Sequence, residues 1–139
     1  MPASLLMRSD LAELTRLACW VEAWAQQHGV PEQTAQQLDL CSAEAVTNVI
    51  THGLAAADSE IVVSIDRRGD DVVLEIEDDG VAFDPTQAPP PPPVTLDSDR
   101  VGGWGINIVR KLSDEVRYRR VNDRNRLTLV FHARPSAAA

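Results

Sequence analysis

The sequence predicts one domain that mixes helices with strands, and three observations predict it. The chain has 139 residues, 44% of them hydrophobic and 24% charged, enough for a single buried core. Apolar residues recur at helical spacing from residue 10 to about 52, and strict alternation follows over 60–78 and again over 115–132. Between the alternating regions, a cluster of glycines opens into a third helical pattern.

The first element is a short edge strand at residues 3–7, "ASLLM". From Asp10 the pattern turns helical, with Leu11, Leu14, Leu17, Ala18, Val21, Trp24 and Ala25 at spacings of three and four. Asp10 suits the N-cap, with Glu13 three residues on, and "HGVP" ends the helix near His28 and Gly29. Trp20, Trp24 and Trp104 read as packing residues. A second helix starts near Pro31, a residue that suits a first turn. It runs to Thr51 or His52 with Leu38, Cys41, Ala45 and Val49 buried, and Gly53 stops it. His52 reads as a cap against the helix dipole. The strands "EIVVSID" and "DVVLEIED" then flank "RRGD", where Gly69 serves the turn. After the third helix, "EVRYRRV" and "RLTLVFH" form a closing hairpin whose arginines read as solvated, and the tail 134–139 reads as disordered.

Charge narrows the function. The net charge is -8 and the pI about 4.7, against the basic stripe a nucleic-acid binder shows. No apolar run approaches the roughly 18 residues of a membrane span and no leader pattern opens the chain, so the expected setting is the cytoplasm. Cys19 and Cys41 lack metal-ligand spacing and read as reduced core thiols.

Two features resist a purely structural reading. In "EAVTNVITHG", residues 44–53, Glu44 and Asn48 lie one helical turn apart on one face of an otherwise apolar segment. In the strand 71–78, Val72, Leu74, Ile76 and Asp78 share one face while Val73, Glu75 and Glu77 share the other. The charged face is the wetter one, so Asp78, not Asp79, points toward the core. A carboxylate there is costly unless donors meet it. Further on, residues 84–101 are aperiodic and contain the run Pro89 to Pro93, the signature of a loop or lid. Gly102, Gly103 and Gly105 then open a helix whose N-terminal N–H groups suit phosphate. Each feature alone is weak, but together they supply the parts of an ATP site. Asn48 offers a carbonyl oxygen to magnesium, Glu44 can accept a proton, and Asp78 can accept from the exocyclic amine of adenine.

"EAVTN", "DDGVAFDP" and "GGWGINIVRKLSDEVRY" resemble the N, G1 and G2 boxes of the GHKL ATP-binding superfamily, and within it the anti-sigma-factor serine kinases of the RsbW and SpoIIAB type. The resemblance covers residues 10 to 132. It implies a two-layer α/β sandwich, with a mixed, mostly antiparallel sheet and helices on one face, formed by one kinase domain over 1–139. It makes Glu44 the general base, Asn48 the magnesium ligand and Asp78 the adenine acceptor, with Gly80 allowing close approach. Arg100, Gly102, Gly103 and Gly105 fall to the phosphate side, 84–101 to the lid, and Thr128 to the adenine pocket. Ala82 stands where the G1 box usually has a second glycine, and the prolines are foreign to the lid. The implied cofactors are ATP and Mg2+. The implied partners are a sigma factor and a STAS-type anti-anti-sigma protein, with a homodimer left open.

Rival readings meet the same text. No G-x-x-x-x-G-K-[ST] exists and the only lysine is Lys111, which excludes a P-loop. The strand lysine and H-R-D loop of eukaryotic-type kinases are absent. A histidine-kinase ATPase domain shares the fold class but lacks a good phosphoacceptor here, His28 being at a helix end. The larger GHKL ATPases carry further domains. The rival from another class is an ATP-binding docking module without kinase activity, and the retention of Glu44 speaks against it.

Overall fold

The computed structural model describes residues 2–52, 59–82, 84–87 and 102–132. Strand β1 (Ala3–Arg8) is followed by a 3-10 turn at Leu11–Glu13 and helix α1 (Leu14–Gln27). Asp10 accepts a bond from the Ala12 amide at 2.9 Å, so the expected cap forms, but it opens the tighter turn first. The side chains of that turn follow a three-residue repeat, and Leu11, expected in the buried stripe, is 50% exposed. Arg16 ties the turn to the sheet by pairing with Glu13 and donating to the Leu6 carbonyl at 2.7 Å. Leu17, Val21, Trp24 and Ala25 are buried, and Trp24 stacks on His28 at the helix end. Gly29 takes the left-handed φ of +62° that stops the helix there.

Helix α2 (Glu32–His52) begins just after Pro31, whose carbonyl accepts from the Ala35 amide. It buries Leu38, Cys41, Ala45 and Val46. Strands β2 (Glu60–Arg68) and β3 (Asp71–Asp78) form a hairpin through Gly69 at φ +64°. Helix α3 (Gly102–Leu112) leads to β4 (Glu115–Val121) and β5 (Arg124–His132). The connection between these last strands is only Asn122–Asp123, both with positive φ. That backbone matches the right-handed twist of a hairpin, and it lets β5 start two residues earlier than the apolar alternation alone suggests.

The sheet order is β1-β2-β3-β5-β4, and each pairing is antiparallel. The expected mixed sheet is therefore corrected. Strand β4 does run in the direction of β3, but β5 occupies the slot between them, so no parallel neighbours arise among the described strands. One face carries Met7, Ile61, Val63, Ile65, Val72, Leu74, Ile76, Leu127, Leu129 and Phe131, which form one core with the apolar sides of the three helices. The other face is polar: Arg126 pairs with Glu75 and Glu77, Arg124 with Glu77, and the hydroxyls of Ser4 and Ser64 meet at 3.2 Å. Among the described residues, no helix is long and apolar enough to cross a membrane. The expected lid from 88 onward, Gly53, Arg100 and the tail lie outside the described residues, as does the side chain of Trp104.

Candidate functional site

A pocket opens where α2 crosses the ends of β3 and β5. Its walls are Ala45, Asn48 and Val49 from α2, Ile76 and Asp78 from β3, Asn125 and Leu127 from β5, Tyr118 from β4, and Pro85. The cavity volume is about 30 Å³, room enough for water. Pro85 belongs to a 3-10 turn at Pro85–Gln87, capped by Asp84, whose Oδ1 accepts from the Thr86 amide at 2.8 Å.

Asp78 is the polar floor, 4% exposed, whereas Asp79 beside it is exposed. Alternation along β3 dictates this, and the burial is met by donors. Asp78 Oδ1 accepts from the Gly80 amide at 2.9 Å and from Asn125 Nδ2 at 3.1 Å. Its Oδ2 accepts no bond from a described residue, and the residue lines the pocket. Asn125 is brought there by register, since it is the Cα partner of Asp78 across β3 and β5. Its Nδ2 also donates to the Val81 carbonyl at 2.9 Å. Its Oδ1 accepts from the Tyr118 hydroxyl and from Arg120 at 3.1 Å, and Arg120 donates onward to the Gly80 carbonyl at 2.8 Å.

Asn48 is 8% exposed, and its carboxamide makes no hydrogen bond to a described side chain or backbone group. A nearly buried amide left so is costly in a closed core, and here it faces the pocket. Glu44 stands one turn earlier on α2, half-buried, and is not part of the pocket wall. Its field is felt by Cys41: burial first, and the Glu44 carboxylate second, push that thiol up to about 12. Cys41 is thus an inert core thiol, whereas Cys19, expected in the core, is exposed.

Among the other expected site residues, Gly80 is buried at the bend after β3 and Ala82 is exposed. Gly102, Gly103 and Gly105 lie in the first turns of α3. Thr128 requires correction. It pairs with Glu75 and Arg117, on the polar face of the sheet, and the sheet itself separates it from the pocket. Asn125, Tyr118 and Arg120 were not anticipated. Counting back by twos from Phe131, Leu129 and Leu127 puts Asn125 on the core face, so a signal for it existed.

These donors fit an adenine nucleotide and a hard divalent ion. A buried carboxylate with one oxygen turned to an apolar slot suits an amine on a flat base. Asn48 offers an oxygen of the kind magnesium takes when phosphates and water complete its shell. No group of three or more His, Cys, Asp or Glu that could hold a metal alone occurs among the described residues.

Comparison with known proteins agrees. Residues 7–131 match the model of the histidine kinase-like ATPase domain. The chain is 32% identical over 120 residues to the serine/threonine-protein kinase BtrW of Bordetella bronchiseptica, covering 85% of this chain and 84% of that one. Among solved structures, the RsbU and RsbW domains of Rv1364c from Mycobacterium tuberculosis superpose with a TM-score of 0.70 at 19% identity over 97% of this chain. The blue-light activated histidine kinase of Erythrobacter litoralis EL346 superposes with a TM-score of 0.57 at 18% identity over 79%. This chain spans about a third of each of those two chains, 33% and 34%.

Proposed function

Since the chain belongs to the histidine kinase-like ATPase domain family, we propose that it binds ATP, phosphorylates a serine or threonine of a protein partner, and acts as an anti-sigma factor of the RsbW and SpoIIAB type. The observation that carries the reading is the pocket floor. Asp78 is buried with Oδ1 saturated, its Oδ2 is left to a guest, and the unpaired Asn48 carboxamide stands beside it.

In this reading the 6-amino group of adenine donates to Asp78 Oδ2 while Ile76, Val49 and Leu127 sandwich the ring. Asn48 and the phosphates would hold Mg2+, which neutralises charge on the phosphates when bound. The helix start at Gly102, Gly103 and Gly105 presents amides to the same phosphates. Glu44 takes the proton of the attacking hydroxyl. The hydroxyl oxygen forms a bond to the γ-phosphorus, the bond from that phosphorus to the β–γ bridging oxygen breaks, and ADP leaves. The partners proposed are a STAS-type anti-anti-sigma protein as the substrate and a sigma factor as the sequestered protein. With a net charge of -8, control of transcription would run through proteins rather than through contact with DNA. Phosphorylation adds about -1.5 to -2 charges to the substrate, and against this acidic surface that favours its release.

Glu44→Gln should bind ATP nearly as the parent does and lose phosphoryl transfer by about 10²–10⁴-fold, whereas Asn48→Ala should lose both. Parent-rate transfer by Glu44→Gln would remove the base assignment, whereas a parent chain that binds ATP and transfers no phosphate would be an ATP-binding docking module. Pull-downs test the switch. The unphosphorylated STAS protein should be retained, and the phosphorylated form replaced by a sigma factor. Equal retention of both forms would exclude it.

A further inference from the structure

Asn125 is bonded beyond what a packing residue needs. Its Nδ2 donates to Asp78 Oδ1 and to the Val81 carbonyl, and its Oδ1 accepts from Tyr118 and Arg120. Both hydrogens and both lone pairs of the amide are thereby engaged, which fixes its plane and its flip state. Arg120 also holds the Gly80 carbonyl. The bend from Asp78 to Val81 is thus pinned at three points to the β4–β5 hairpin: at a carboxylate oxygen and at two carbonyls.

We propose that Asn125, held by Tyr118 and Arg120, is the residue that sets base selectivity, by locking the Asp78 carboxylate so that only Oδ2, a pure acceptor, faces the 6-position of the purine. The inference rests on the adenine reading above and assigns to it a positioning residue. A carboxylate free to rotate could turn away from an unfavourable 6-oxo group and soften the penalty against it. A carboxylate clamped at Oδ1 cannot, so a 6-amino purine gains a charge-assisted bond while a 6-oxo purine meets two opposed acceptors. Discrimination of this kind comes from buried groups left unpaired by the wrong ligand.

ATP and inosine triphosphate differ at the 6-position and in the N1 proton that goes with it, so their affinity ratio, measured by calorimetry with magnesium on the full chain, reads selectivity rather than stability. The parent should prefer ATP by about 10-fold or more, the range of one hydrogen bond to a charged group. Asn125→Leu removes all four bonds and should bring the ratio to within about 3-fold of unity, ATP losing more than inosine triphosphate. Asn125→Asp keeps the size and both acceptor contacts but withdraws the donors. It should collapse the ratio as well, and it decides the matter if Asn125→Leu fails to melt cooperatively. An unchanged ratio in Asn125→Asp, with both affinities lowered equally, would reduce Asn125 to a structural prop and overturn the proposal. A parent chain that binds neither nucleotide would instead overturn the adenine reading beneath it.

Discussion

Asp78 and Glu77 are neighbours on one strand, both carboxylates, yet they live in different physical regimes. Glu77 projects to the polar face, where Arg124 reaches it at 3.6 Å and Arg126 at 3.4 Å. Asp78 projects to the core face, where its listening partners are a backbone amide and a side-chain amide, each directed at the same oxygen. On the polar face, water competes with every partner, and a charge costs little whether paired or not. On the core face the charge survives only with donors fixed in advance. What differs is not the residue type but a single step of strand parity. The polar face tolerates charge, while the core face converts it into a directed acceptor.

The sharpest separation of the two faces is packing. Leu74 is fully buried and Val73, next to it, faces the polar side. Leu74→Ala should cost about 2–5 kcal/mol in urea unfolding, and Val73→Ala about 1 kcal/mol or less. Equal losses would dissolve the distinction between the faces. Next in size, Asp78→Asn swaps half of the acceptor capacity for a donor. ATP affinity should fall by about 10²-fold, with Asp79→Asn near the parent by calorimetry.

Smaller still, Glu77→Gln breaks two half-exposed ion pairs and should change stability by at most about 1 kcal/mol. Much of that change should vanish in high salt. A loss as large as that of Leu74→Ala would mean that the polar face is covered in solution. The smallest effect lies at the sheet end, where His132 Nδ1 lies 2.8 Å from Asp71. The Asp71 bond raises the His132 pKa; desolvation opposes that rise, and the charges of Asp114, Asp71 and Glu115 add to it. With the folded value above the unfolded one, the contribution is fully present below the ordinary histidine pKa and lost as pH rises through the folded value. The melting temperature of the parent relative to His132→Gln should therefore narrow from pH 6 to pH 9. A difference that grows with pH would reverse the sign of the coupling.

How much of this was legible in the sequence depends on whether a feature is local. Alternation from Val72 to Asp78 and helical spacing from Leu38 to Val49 were sufficient to aim Asp78 inward and to place Asn48 on a helix, because each is decided within a few residues. Strand order is not local. Nothing in 115–132 states that β5 enters between β3 and β4, so the pairing of Asp78 with Asn125 could not be read directly. Thr128 is a different failure. Its neighbours Leu127 and Leu129 already assigned it to the polar face, and only a family pattern suggested otherwise. Leu11 was misplaced because a capping aspartate marks where a helical segment begins without distinguishing a 3-10 turn from an α turn.

The clamp on Asp78 also has a place in time. The donor and acceptor of that bond are 47 residues apart, with α3 and β4 in between, while the β2–β3 hairpin closes over two residues at Gly69 and Asp70. Long loops close late, since their chain entropy is lost before distant contacts repay it. The pocket floor is thus finished only when β5 docks against β3, after the local hairpins have formed. A nucleotide that binds only the finished floor would stabilise the native state alone. Its signature is kinetic: refolding at an unchanged rate, and unfolding slowed in proportion to the ligand held.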